Sequence, residues 1–525
     1  MAERNNWKRK LALACCAAGL FFSASAQARE LTIIYVPLDN RPVCAGYAEA
    51  TMKAAGCRII MPDEKYIASN VQNGNPEKVL EWLEKKAPKA DAAVISTDSL
   101  IYGGLVGSRT HEIPDAVLEQ RIKRLKDLKM SLPIKLYAFS TIMRTPRASK
   151  GRVEPPYYSS VGPTIFAYSE LLDKKDQGKL APSEALLMQA LERNLPKSQL
   201  GDWLERREKN FDVNEELLKL ACSNKFHYFA IGKDDNAQLS STHMEARRLS
   251  RMTIGIPDET FQIIDGVDQL GLLLLARAYN EAKGLKPSVY PMYSEGVGPG
   301  TLPQYSDSRL QDSVPQQIIA AGGSVASSAA GADLVLALNT PDNGIVQDST
   351  ADSNKFFASP ANKRFIEAIG RQLNAGSRVS LADISYSNGA DNGFMNMLAR
   401  TDSLDRLAAY NGWNTADNAI GYAIAQGMLS SSMPAAKISQ LKKQRLIDDW
   451  YYQSNARRFI SDELEKHNRE DMKYDLGAAH SAILQQVTAD CRKLSSSYAA
   501  TEGAKFTLSF PWNRLFEVDV ELEQK

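Results

Sequence analysis

Cysteine is scarce: six occur in 525 residues, and two of these, Cys15 and Cys16, fall inside an N-terminal apolar run. The other four, Cys44, Cys57, Cys222 and Cys491, are too few for a disulfide scaffold in a chain of this length. Cys44 and Cys57 are spaced either to close one loop or to stay buried as free thiols. An excess of charge is absent too, 63 Lys and Arg standing against 62 Asp and Glu. With no basic run beyond the first ten residues, nucleic acid is not an expected partner. Hydrophobic runs are short: Leu11 to Phe22 is roughly a dozen residues, 270–276 ends at Arg277, and a bilayer span needs about 18–20. No stable membrane insertion is expected of the mature chain. The five histidines are scattered, and His-Glu-x-x-His, a Gly-x-Ser-x-Gly elbow and, after residue 28, Cys-x-x-Cys are all missing. The isolated His243-x-Glu245 is a weak zinc signal, and Gly296 to Gly300, interrupted by Pro299 and lacking a P-loop lysine, reads as a loop. Neither a metal nor a cofactor is expected.

What is present at the N-terminus is a basic stretch (Arg4, Lys8, Arg9, Lys10), the short apolar run, and Ala26-Gln27-Ala28, with small residues where signal peptidase needs them. Cleavage after Ala28 is expected, which makes the mature protein extracytoplasmic, either periplasmic or secreted. Cys15 and Cys16 lie too close to Lys10 to leave a normal apolar region before a lipidated cysteine.

From Leu31 onward, short β-branched runs alternate with amphipathic helical stretches, the pattern of a parallel sheet covered by helices. Strands are predicted at 32–36, 58–61, 92–96, 134–139, 226–231, 261–264, 288–292, 334–338 and 379–382. Nine strands are too many for one simple open sheet, so the fold class is α/β with a parallel-sheet core, either a (β/α) barrel-like closure or two Rossmann-like lobes. The core is expected in two parts, 29–164 and 226–436. Between them 165–225 reads as a helical insertion, and 437–525 as a mainly helical region with a final extended segment.

Polar residues follow nearly every predicted strand, where parallel α/β folds place their ligand sites. Asp39 and Arg41, Asp98 and Tyr102, Arg144, Asp234 and Asp235, Asp268, then Asn388 and Asp391 occupy successive strand ends. Any one of these could simply cap a helix or make a turn, but the repetition points to a shared site. Paired carboxylates suit glycoside hydrolysis, and Asp234 and Asp235 reach one substrate only if the chain turns there, which Asn236 favours. A close pair also pushes one carboxyl pKa upward, as a general acid near neutral pH requires. Cation binding by the same oxygens is the competing reading. Trp413 and Asn414 stand at the entrance of a predicted helix, and aromatics with amides are the mixture that stacks on and hydrogen-bonds to sugars.

Six segments resemble the uncharacterised bacterial family called domain of unknown function 4127. They are Pro37-Leu38-Asp39-Asn40-Arg41-Pro42, Thr97 to Leu105 with Ser108-Arg109, Gly232-Lys233-Asp234-Asp235, Asn388-Gly389-Ala390-Asp391, Gly412-Trp413-Asn414-Thr415-Ala416, and Pro511-Trp512-Asn513-Arg514-Leu515-Phe516-Glu517. The family name implies no activity. Locally, a strand ending in Asp-Asp is similar to the pair of retaining N-acetylhexosaminidases, although Gly232-Lys233 departs from their apolar lead-in. That likeness implies Asp234 as the residue orienting the acetamido group and Asp235 as the general acid. From their positions in the loops and at strand ends, Asp39, Arg41, Asp98, Tyr102, Arg144, Asp268, Asn388, Asp391, Trp413 and Asn414 are expected to bind the ligand. The expected function is an exported hydrolase of a glycan or glycoconjugate, a glycoside hydrolase using paired carboxylates. The alternatives are a non-catalytic soluble carbohydrate-binding protein or a metal-dependent phosphate or sulfate ester hydrolase.

Overall fold

The β-branched runs form two separate parallel sheets in the computed structural model, which describes residues 30–70, 72–131 and 134–523. The expected signal peptide, residues 1–28, lies outside the described residues. The first sheet contains β1 (Thr32–Val36), β2 (Arg58–Ile60), β3 (Ala92–Ser96), β4 (Lys135–Ile142), β5 (Tyr228–Lys233) and β6 (Phe261–Asp265), in the order β2-β1-β3-β4-β5-β6. The second lobe begins with β7 (Ser288–Tyr293), β8 (Ser324–Val325) and β9 (Leu334–Asn339). After β10 (Gln347–Asp348) come β11 (Val379–Asp383), β12 (Tyr386–Ser387) and β13 (Ala409–Asn411). Its sheet runs β13-β11-β9-β7-β8, and β10 pairs with β12 in a small parallel sheet of its own. Two open lobes, not a closed barrel, accommodate the strands.

Both large sheets start from an inner strand, step outward once, then cross to the other side, so each has a switch point beside its first strand. Every residue of β1, β3, β9 and β11 is buried, as expected where helices cover both faces of a parallel sheet. That two-sided burial is why these strands read as continuous apolar runs. Register between β1 and β3 is held by Ile33 opposite Ala92 and Val36 opposite Ile95.

The lobes are joined through the helices Leu270–Ala282 and Ala416–Leu429, whose side chains belong to one apolar cluster shared with β1, β3 and β9. All residues of Ala416–Leu429 are buried, the polar Asp417, Asn418 and Gln426 included, so the helix is enclosed by protein on every side. Gly271 permits the closest approach: a Cβ there would come within 2.1 Å of the Tyr35 hydroxyl. The apolar run at 270–276 is therefore an inter-lobe core helix, and no helix among the described residues is long and apolar enough to cross a membrane.

Helices Tyr158–Asp176, Pro182–Asn194 and Lys197–Cys222 lie between β4 and β5 and form a small core around Tyr158, Leu171 and Trp203. After the second sheet come helices Ala435–Arg445, Arg457–Lys466 and His480–Ser495, with a π-helical segment, Leu446–Ala456, that buries Trp450, Tyr451 and Tyr452. The final extended segment is a hairpin of β14 (Phe506–Ser509) and β15 (Asp519–Leu522). Cys44, Cys57 and Cys491 are buried free thiols, and Cys222 is an exposed one.

Candidate functional site

The C-terminal ends of the first sheet's strands open onto a cavity of about 930 Å³. Its floor is made of arginine–carboxylate pairs. The turn after β1 lets the Asp39 carboxylate accept from the Arg41 backbone N–H at 3.1 Å while the Arg41 guanidinium reaches the same carboxylate at 2.8 Å. The other face of that guanidinium donates to Asp268, beyond β6, at 2.6 and 3.1 Å. Burial alone would lower the Arg41 pKa, but Asp268 and then Asp39 outweigh it and raise it.

A second pair forms across the sheet: Arg109 donates through Nε and Nη2 to Asp234 at 2.9 and 2.6 Å. Beside it Arg144, in the loop after β4, donates to Asp235 at 2.5 Å and to Glu154 at 2.6 Å. Glu154 also lies 3.6 Å from Arg109 and so links the two pairs. Burial pushes the Glu154 carboxyl up, but Arg144 and Arg109 overcome it and hold it below its usual value. Asp234 goes the other way. Its burial, reinforced by the Asp235 charge, raises its pKa against the pull of Arg109 and Arg144.

The turn at the acidic pair is present: β5 ends at Lys233, and Asp235 has φ of +29°, so both carboxylates border the same cavity. Behind them Asp98 is fully buried, accepts from the Thr141 hydroxyl at 2.8 Å, and is pushed up to about 7, chiefly by desolvation. Lys233 is held between Asp265 at 2.9 Å and Asp307, and the neighbouring Asp417 is pushed to about 8 by burial and then by the Asp265 charge.

The second lobe and the C-terminal region close the other side. Asn388 donates from its backbone to the Asn414 carbonyl at 2.6 Å, and the Asn414 amide lies 3.4 Å from Asp268. Trp512 donates its indole N–H to Asn40 at 2.8 Å and has two guanidiniums against its ring, Arg41 at 5.4 Å and Arg514 at 4.7 Å from the ring centre.

Of the residues singled out in the sequence, Arg41, Arg144, Asp234, Asp235, Asp268, Asn388 and Asn414 line this cavity. Asp39 sits behind Arg41 as its anchor. Asp98 is buried in the short helix Thr97–Ile101 after β3 and Tyr102 at its C-terminal end, where the Tyr102 ring stacks on His111 at 4.8 Å. Asp391 caps the helix Asn392–Leu398, accepting from the Phe394 N–H at 3.1 Å. Trp413 packs in the core against Phe516, with ring centres 5.4 Å apart. His243 bonds Asp173 while Glu245 pairs with Arg207, so the two do not share a partner. Among the described residues no group of three or more His, Cys, Asp or Glu is placed to hold a metal ion.

Sequence reasoning missed Glu154, Arg147, Lys150, Arg457 and Lys473, and treated Arg109, Trp512 and Arg514 as family or aromatic residues without a site role. Balanced total charge hid them, because their counter-charges lie elsewhere in the chain.

The family model described as "Protein of unknown function (DUF4127)" matches residues 33–521. The chain belongs to this family. No curated protein and no solved structure matches it. The six segments that carry the DUF4127 resemblance are spread over nearly the whole chain, yet each supplies a lining residue: Arg41, Arg109, Asp234 with Asp235, Asn388, Asn414, and Trp512 with Arg514.

Proposed function

We propose that this chain is an exported hydrolase of a glycan or glycoconjugate, with the cavity as its active site and Asp234 and Asp235 as the reacting carboxyls. The observation that carries the reading is the convergence of six separated segments on one cavity of ligand size, with both carboxyls on its wall. Asn388, Asn414 and Gln304 offer amides for hydroxyl groups, and Tyr305 and Phe516 offer rings for sugar faces. The electrostatics favour a division of labour between the two carboxyls. Asp234, raised by burial, suits the general acid, its proton carried on Oδ1, the oxygen turned from Arg109. Asp235, held by Arg144 through Oδ2, suits the anionic partner that stabilises or attacks the sugar carbon. This reverses the roles implied by the hexosaminidase likeness.

The test is a pair of variants assayed on aryl glycosides and bacterial surface glycans. Asp234→Asn and Asp235→Asn should each lower turnover by about 100-fold or more with the fold retained. A substrate with a very acidic leaving group needs little protonation, so it should rescue Asp234→Asn far better than Asp235→Asn. Rescue of Asp235→Asn instead would restore the opposite assignment, and full activity in both variants would remove the pair from the mechanism.

One observation favours a second reading, a carbohydrate-binding protein without turnover: Asp234, Asp235 and Asp268 are each already engaged by an arginine. Ligand affinity unchanged in both variants, with no turnover of any glycan, would support it. Export is tested separately, because protein recovered outside the cytoplasm should begin at Arg29.

A further inference from the structure

The cavity is lined by eight Lys and Arg side chains but only four Asp and Glu. The imbalance is not spread evenly. Arg41, Arg109 and Arg144 are matched on the floor by Asp268, Asp234 and Asp235 at 2.6, 2.6 and 2.5 Å. The remaining cations come from the loop after β4 (Arg147, Lys150) and from the C-terminal region (Arg457, Lys473, Arg514), and the one lining carboxylate left for them is Glu170.

Three of these five are loosely paired. Arg147 approaches Glu170 no closer than 3.5 Å, and Lys150 approaches Asp471 no closer than 3.7 Å. Arg457 lies 3.5 Å from Asp348 and otherwise donates to backbone carbonyls and the Ser349 hydroxyl. The contrast with the floor is chemical. A guanidinium already in a close pair has little left for a ligand, whereas a cation whose partner stands off by an extra ångström can form a new charge-assisted bond when an oxyanion enters.

Resting on the reading of the cavity as a glycan site, we propose that the ligand is an anionic glycan, its sugar units bearing carboxylate or phosphate groups that Arg147, Lys150 and Arg457 hold. A neutral polysaccharide would leave those three cations with only their stand-off partners at 3.5–3.7 Å. An oxyanion on the sugar supplies that partner, and it also fixes which part of the chain reaches the Asp234 and Asp235 wall.

The experiment is titration calorimetry on the mature chain with three probes: an oligogalacturonate carrying carboxylates, mannose 6-phosphate carrying a phosphate, and neutral maltotriose. At least one anionic probe should bind about ten-fold or more tightly than maltotriose, and the stronger of the two identifies the oxyanion. Arg147→Gln combined with Lys150→Gln should weaken that probe by about ten-fold or more, the order expected for lost charge-assisted bonds. Both side chains are more than half exposed, so this variant is not expected to disturb folding. Arg457→Gln, checked for an unchanged melting profile, should act in the same direction. Lys85→Gln with Lys89→Gln removes the same charge from exposed positions outside the cavity lining and should leave binding unchanged. Equal affinity for maltotriose, wild-type affinity in the cavity variants, or an equal loss in the control would each overturn the proposal. Because the readout is binding, failure of the hydrolase reading shows separately, as anionic probes that bind while no glycan is turned over.

Discussion

The two lobes share one strand topology but neutralise their buried carboxylates by different means. In the first lobe Asp39, Asp234, Asp235 and Asp268 lie against arginines. In the second, Asp383 is wholly buried between Asn339, which donates at 2.8 Å, and the Asp391 backbone, which donates at 2.9 Å. Among the described residues neither Asp383 nor Asp391 has a Lys or Arg partner. Burial, followed by the Asp391 charge, therefore pushes Asp383 to about 8, and a proton does there what a guanidinium does in the first lobe. Asp98, pushed to about 7, is the first lobe's exception, and it stands behind the cavity instead of lining it. The lesson is that strand-end acids of one topology divide by what faces them. Those bordering the cavity are faced by guanidiniums, and those buried beneath a helix start are faced by hydroxyl, amide and backbone N–H donors instead.

Breaking an arginine pair tests this most severely. Arg109→Leu leaves Asp234 buried without its partner and should cost about 3–5 kcal/mol in urea denaturation at pH 8. The loss should shrink as pH is lowered, because burial raises the Asp234 pKa and favours uptake of a proton, and an equal loss at every pH would mean that packing and not charge was removed.

The second lobe predicts a pH-dependent effect that is smaller at any one pH step. Asp383 has its folded-state pKa raised above the unfolded value, so it binds a proton on folding. Its contribution is full below the unfolded carboxyl pKa and is lost as pH rises toward about 8. Stability should therefore fall between pH 5 and 8, with Asp383 adding at most about 1.4 kcal/mol per pH unit. Asp383→Asn, which cannot ionise, should flatten that slope in melts across the range. An unchanged slope would assign the proton elsewhere.

The smallest effect sharpens the comparison by separating caps from charges. Thr415 caps the helix Ala416–Leu429 by accepting from the Asn418 N–H at 3.4 Å. Thr415→Ala should cost about 1 kcal/mol with no change in the pH slope, measured by the same melts.

The strands were the most legible part of the chain. β1 and β3 occupy the predicted 32–36 and 92–96, and β9 and β11 extend their predicted spans by a single residue. The strands that escaped, β8, β10, β12 and β13, are two or three residues long, too short for an alternation to register. The site was legible only in part, because position at a strand end does not say which way a side chain turns. Trp413 and Asn414 are neighbours at one strand end, yet the first packs into the core and the second borders the cavity. Arg147, Lys150 and Arg457 carry no motif, and only folding brings them round one cavity.

The wall contributed by Trp512 to Phe516 also bears on timing. A chain synthesised from its N-terminus has the residues of both large sheets before this segment exists, since β13 ends at Asn411, about a hundred residues earlier. Trp512 ties to Asn40, 472 residues earlier, so this contact cannot form until the segment has been synthesised. The site's floor and this wall therefore come from segments made about a hundred residues or more apart, and the cavity is closed only after Trp512 to Phe516 have been added.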